Sequence, residues 1–234
     1  MQIHELRLKT ADLNLQRDFY ARSLRLPIVS QRTHSLTIQV GRSILVFEQE
    51  DGWQGRYHFA FNVPENQFSA AKAWITQRTS LARLNEDDEF HSAGWNADML
   101  YFYDAAGNIL ELIARHTLSN ASETPFTENS LLSISEIGLA TDDVERTVGD
   151  LCRSLNVPVY DGQGSDSFTA VGDEDGLIIV VKRGRVWYPE TGVHADLYPV
   201  TVTLLDEIAR VCVLPGLPYD IRSIHERSPL SAFV

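Results

Sequence analysis

Cysteine is scarce in this chain: Cys152 and Cys212 are its only two, far apart and in no Cys-x-x-Cys arrangement. Neither a thiolate zinc site nor a disulfide framework follows, and the pair reads as reduced thiols of a cytoplasmic protein. Positive charge is also short. The 20 Lys and Arg stand against 32 Asp and Glu, a formal charge of −12, so the concentrated basic face needed to bind nucleic acid or an anionic membrane is missing. No apolar run approaches membrane-spanning length, and residues 1–9 alternate polar and apolar without the apolar stretch of a signal peptide. Also absent are a nucleotide-binding glycine motif and a nucleophile elbow, while the turn at 172–176 lacks the oxygen-ligand spacing of a calcium loop. What is present is ordinary globular composition, 44% hydrophobic and 22% charged in 234 residues. That is enough chain for one large or two small domains, with a small molecule or a protein as the expected partner.

The order of elements is repetitive. Residues 3–9 alternate in period two, with His4, Leu6 and Leu8 on one face and Ile3, Glu5, Arg7 and Lys9 on the other. Asp12 then offers an N-cap to a helix that Pro27 stops, and three short strands follow at 28–29, 35–40 and 43–47. The order βαβββ starts again with a strand at 57–63, a helix at 67–78, a long acidic loop through 85–89, and strands at 95–103 and 109–114. Residues 117–133, rich in Ser, Thr and Asn, read as a linker between 1–116 and 134–234.

Beyond that linker the chain echoes itself at a constant offset. Ile3, Glu5, Leu8, Thr10 and Asp12 recur as Ile134, Glu136, Leu139, Thr141 and Asp143, and Arg22-Ser23-Leu24 recurs as Arg153-Ser154-Leu155. A strand, a helix and strands at 167–171 and 177–181 follow; then a shorter remnant is expected, with a strand at 198–204, a helix at 205–213 and a strand at 219–224. The predicted fold class is therefore α+β, built of tandem βαβββ modules with the last one truncated.

Within 101–115 the pattern reads strand, tight turn, strand, and one acid, Glu111, stands between Leu110 and Leu112. Such a carboxylate either faces water from an edge strand or, if buried, needs a metal ion, a cationic partner or hydrogen bonds. The spacing leaves both open.

Residues 8–20 with the Asp12-Leu13 and Phe19-Tyr20 pairs, the run His58-Phe59-Ala60-Phe61-Asn62-Val63, and 104–111 with Gly107 together resemble the vicinal oxygen chelate superfamily. That superfamily includes glyoxalase I, extradiol ring-cleaving dioxygenases, fosfomycin-resistance enzymes and metal-free bleomycin-binding proteins. The resemblance spans nearly the whole chain. It implies paired modules forming cupped sheets, the two modules of 1–116 pairing around the site, with metal ligands from the first and last strands of the units. Carried over residue by residue, it implies Glu5, His58 and Glu111 as ligands, with Glu5 and Glu111 also catalytic. Val46 holds the place of a fourth ligand, with Glu48 of the same parity as a substitute.

One imidazole with two carboxylates suits a single divalent ion (Fe, Mn, Ni, Co or Zn) with open positions for a substrate that chelates through neighbouring oxygens. In the later half Glu136 matches Glu5, but Pro199 stands in the place of His58, so Glu136 is expected to be a pairing or surface acid and that half metal-free. Trp95, Asn96, Tyr101 and Tyr103 are the candidate substrate-binding residues. Three activities follow from the resemblance: a glyoxalase-like isomerase or lyase, an Fe(II) extradiol dioxygenase, or a metal-free small-molecule binder. A homodimer is the assembly to consider.

Overall fold

A computed structural model of the chain describes residues 1–225. The first module begins with β1 (Gln2–Thr10) and a short α1 (Leu13–Arg17), whose N-cap Asp12 accepts from the amides of Asn14 and Leu15. The helix widens into a π-type turn over Asp18–Ser23. Strands β2 (Ile28–Arg32), β3 (Ser35–Val40) and β4 (Ser43–Gln49) close the module as an antiparallel meander, with β4 returning parallel to β1. The second module holds β5 (His58–Val63), α2 (Phe68–Thr76), β6 (Phe90–Ser92), β7 (Ala97–Tyr103) and β8 (Ile109–Arg115). The third holds β9 (Ser133–Thr141), α3 (Val144–Leu155), β10 (Val159–Gly164), β11 (Phe168–Asp173) and β12 (Gly176–Lys182). The remnant contributes β13 (Val200–Asp206), β14 (Arg210–Cys212) and β15 (Tyr219–His225).

These strands form two sheets, ordered β14-β15-β13-β1-β4-β3-β2 and β10-β11-β12-β9-β5-β8-β7-β6. Modules therefore pair first with last, and second with third. This corrects the division at 117–133: the pairing of neighbours within 1–116 does not occur, because the free edge of β1 takes β13 and that of β5 takes β9. The segment between β8 and β9 is anchored rather than loose. Asn120 accepts from the amide of Glu65, Leu131 is buried, and the Leu132 amide bonds to Asn62 O at 2.8 Å.

A shared core joins the two sheets: Leu6, Leu8 and Phe47 of one pack in the same cluster as Phe59, Phe61, Leu112 and Ile137 of the other. On its opposite face the eight-stranded sheet carries a second, smaller apolar cluster that includes Ala60, Tyr101, Ile113, Ile179 and Trp187. That face is where the acids described below are found.

Two local expectations change. The ladder of β1 with β13 runs Ile3↔Leu204, then Glu5↔Thr203, so His4 is an extra residue, and the bulge puts Ile3 in the core with Leu6 and Leu8. The helix expected over 205–213 is absent: Val211 and Val213 are exposed while Cys212 between them is buried, the alternation of a strand, and β14 pairs with β15. Among the described residues no helix is long and apolar enough to cross a membrane.

Candidate metal centre

The centre is built on one small residue. Ala60 of β5 lies opposite Glu111 of β8 on one side and opposite Glu136 of β9 on the other. The two acids flank it across three adjacent strands, about 4.8 Å apart in the hydrogen-bonding direction, and lean together over a methyl group. His58 is two residues earlier on β5 and so projects from the same face. A bulge aims Glu136. Phe61 pairs with Ile134 and Ala60 with Glu136, leaving Ser135 as the extra residue, 131 positions after His4 and its bulge in β1.

Ligand-type atoms of His58, Glu111 and Glu136 all lie within 4.8 Å of one another. Donors around an ion with bonds of about 2.1 Å stand about 3–4 Å apart, so the set fits a divalent metal after small rotations. His58 Nε2 is 3.7 Å from Glu111 Oε2, and His58 Nδ1 and Glu111 Oε1 have no hydrogen-bond partner among the described residues. Glu111 and Glu136 are each 2% exposed. Burial holds His58 neutral, its pKa lowered to about 4. Burial, and then the charge of Glu136, push Glu111 well above the usual carboxylate range. Glu136 is also raised by burial, although Arg115, itself fully buried, makes an ion pair with it. Arg115 further lies over the rings of Trp95 at 5.3 Å and Tyr160 at 5.9 Å. A cavity of about 80 Å³ opens above the three ligands, walled by Trp95, Tyr101, Phe168, Trp187 and Tyr188 with Arg185.

No family model matches the sequence, and no curated protein matches it. Among solved structures, a candidate dioxygenase from Bacillus subtilis subsp. subtilis str. 168 aligns over 96% of this chain and 85% of its own, at 14% identity and a TM-score of 0.64. Glyoxalase I from Zea mays aligns over 96% of this chain and 92% of its own, at 14% identity and a TM-score of 0.57. The chain has the vicinal oxygen chelate fold.

In that fold the ladders give each module two inward places, one on its first strand and one on its last. The second module fills them with His58 and Glu111. The third has Glu136 and, two residues after its partner Leu177, Ile179. The first has Glu5 and Val46 by the same count along β4. The last has Thr201 and Arg222, since Thr201 precedes the partner of Glu5 by two and pairs with Asp220; Thr201, not Pro199, stands in the place of His58. The cup of the seven-stranded sheet thus contains one acid at these places, and the other cup contains two acids and a histidine.

Glu5 is accordingly not with His58 and Glu111. It lies in the other sheet, gripped by Arg7 through Nε to Oε1 at 2.7 Å and Nη2 to Oε2 at 3.2 Å. Glu48, the substitute candidate, belongs to the same charge ladder, accepting from Arg7 at 3.3 Å and Lys9 at 3.1 Å. Of the expected substrate-binding residues, Trp95 and Tyr101 line the cavity. Asn96 and Tyr103 are not among its lining residues: Asn96 sits at positive φ in a turn, its carbonyl accepting from His116, and Tyr103 is half-buried at the edge of the apolar cluster. Arg115, Trp187 and Tyr188 are not among the residues expected at a site; Glu136 does pair, with Arg115, as expected of it, and what was not foreseen is its position beside His58 and Glu111. The constant offset that equates Glu136 with Glu5 was the available signal for the last.

Proposed function

We propose that the chain is a metalloenzyme of the vicinal oxygen chelate type, in which His58, Glu111 and Glu136 hold one divalent ion and the substrate is a small molecule with two neighbouring oxygens. One observation carries this reading: the ligand-type atoms of three buried side chains, His58, Glu111 and Glu136, converge within 4.8 Å of one another over Ala60. Two buried carboxylates and an imidazole this close need a compensating positive charge. When bound, a divalent ion there supplies a Lewis acid that stabilises negative charge on chelated oxygens.

The chain's own residues supply the rest. His58 stays neutral and free to donate a lone pair because it is buried. Arg115 orients Glu136 and offsets part of the anionic charge of the pair. Glu111 takes a proton from the substrate carbon that bears one chelating oxygen and delivers it to the neighbouring carbon that bears the other, giving glyoxalase-like isomerase/lyase chemistry in which no group leaves. The aromatic walls hold a small substrate over the three ligands. One histidine with two carboxylates differs from the two-histidine, one-carboxylate set of non-haem iron oxygenases, which disfavours the dioxygenase reading.

A second reading has its own observation. The ion pair with Arg115 already neutralises Glu136, as expected of a metal-free protein that sequesters a small aromatic molecule. The test is deuterium wash-in from D2O at the carbon next to the carbonyl of a small hydroxyketone. Exchange by the metal-loaded protein, abolished by Glu111→Gln, supports the proton-transfer reading. Oxygen uptake on catechol with Fe(II) favours the dioxygenase, and ligand binding without any metal favours the sequestering protein.

A further inference from the structure

The cavity above the ligands is small. At about 80 Å³ it lies far below the roughly 300–1,000 Å³ of pockets that enclose drug-sized ligands. Its size is set by a hairpin that leaves β12 and crosses the cup. Trp187 N bonds to Val193 O at 2.9 Å, Ala195 N to Arg185 O at 2.8 Å, and Arg183 pairs with Asp196 at 2.6 Å at the base. The hairpin carries Trp187 inward until its ring lies 5.0 Å from that of His58. Tyr188 beside it packs edge-on against Phe90 and Tyr101 at 5.0 and 5.5 Å.

Glycine makes this possible. Gly138 follows Glu136 by two on β9 and so faces the same cup, and a Cβ built on it would overlap the Trp187 ring. The φ of Gly138 is not positive, so the backbone does not require glycine there. The missing side chain makes room for the indole.

We propose that Trp187 is the specificity-determining residue of this site, its indole seated on Gly138 beside His58 and confining ligands at the centre to a few non-hydrogen atoms. The inference rests on the reading of this cup as the metal and substrate site. Two hydroxamates, which chelate through neighbouring oxygens, report on it: acetohydroxamate is small and benzohydroxamate carries an added ring.

Wild type, Trp187→Ala and Gly138→Ala are loaded with Mn2+, their metal content is measured, and both ligands are titrated by calorimetry. Trp187→Ala should shift the affinity ratio at least tenfold toward benzohydroxamate. Gly138→Ala, whose methyl displaces the indole, should shift it in the same direction. A shift below threefold in Trp187→Ala overturns the assignment; if that variant does not fold, Gly138→Ala decides by the same criterion. If wild type takes up no stoichiometric manganese the metal reading fails, and indole binding to the metal-free proteins decides the role of Trp187. Uptake by Trp187→Ala but not by wild type supports the role, and uptake by neither overturns it.

Discussion

Glu111 and Glu136 repel each other in a site with little water to screen them, and only one of them has a cation against it. In the metal-free protein the raised pKa of Glu111 makes the folded state bind a proton that the unfolded state gives up. Stability is therefore lost as pH rises above the ordinary carboxylate range near 4.5. Glu111→Gln removes that cost. At pH 7–8 the metal-free variant should be more stable than wild type by about 1 kcal/mol or more, while its metal affinity collapses; urea unfolding with and without metal checks both. His58 acts in the opposite direction. Its folded pKa of about 4 lies below the unfolded 6.5, so stability is full above pH 6.5 and is lost as pH falls from 6.5 toward 4. The loss is up to about 3 kcal/mol, and His58→Phe should lack it. A chemical-denaturation series between pH 4 and 7 measures the slope of each protein.

At the scale of elements, the turn between β7 and β8 holds more than its own hairpin. Asp104, 6% exposed, accepts from Gln16 Nε2 at 2.8 Å and Tyr20 Oη at 3.0 Å in the first module. It also accepts from the Ala106 amide at 2.9 Å and from Asn108 through its side chain at 2.8 Å and its amide at 3.0 Å. Gly107, at φ +78, closes the turn with its amide on Asp104 O. Asp104→Ala leaves Gln16, Tyr20 and Asn108 unpaired in the core and should cost about 3 kcal/mol, a fall of about 6–12 °C in Tm, read by calorimetry.

Much of this level was legible in sequence. The Asp12 cap, the strand-turn-strand over 101–115 and the placing of His58 and Glu111 on strands of one module all follow from local spacing, and local spacing is what the chain realises there. The misreadings have local causes too. The stretch 205–213 mixes apolar residues at both periods, and pairing with β15 decides for strand. The bulges at His4 and Ser135 cannot be read from alternation, since they show only against a partner strand.

Over the whole molecule, the decisive information is which edges meet. Strand β1 is separated from β13 by nearly the full chain, and nothing within either strand states that they pair. Once first pairs with last and second with third, Glu5 and Glu136, alike in sequence, part company: one enters a ladder with Arg7, the other joins His58 and Glu111. Cleavage at an engineered site in the exposed stretch around Glu123, between β8 and β9, should accordingly leave the two fragments associated, because each sheet contains strands from both. Size-exclusion chromatography after cleavage should show one peak of unchanged volume; separate peaks would mean the halves fold apart.

Elemental analysis of metal content, on protein purified without chelators or a histidine tag, tests the centre most directly when wild type, Glu5→Ala and Glu136→Ala are compared. The expected result is about one divalent ion per chain in wild type and in Glu5→Ala, and a loss of at least tenfold in Glu136→Ala. Metal retained by Glu136→Ala, or lost from Glu5→Ala, would contradict the assignment of His58, Glu111 and Glu136 as the ligand set.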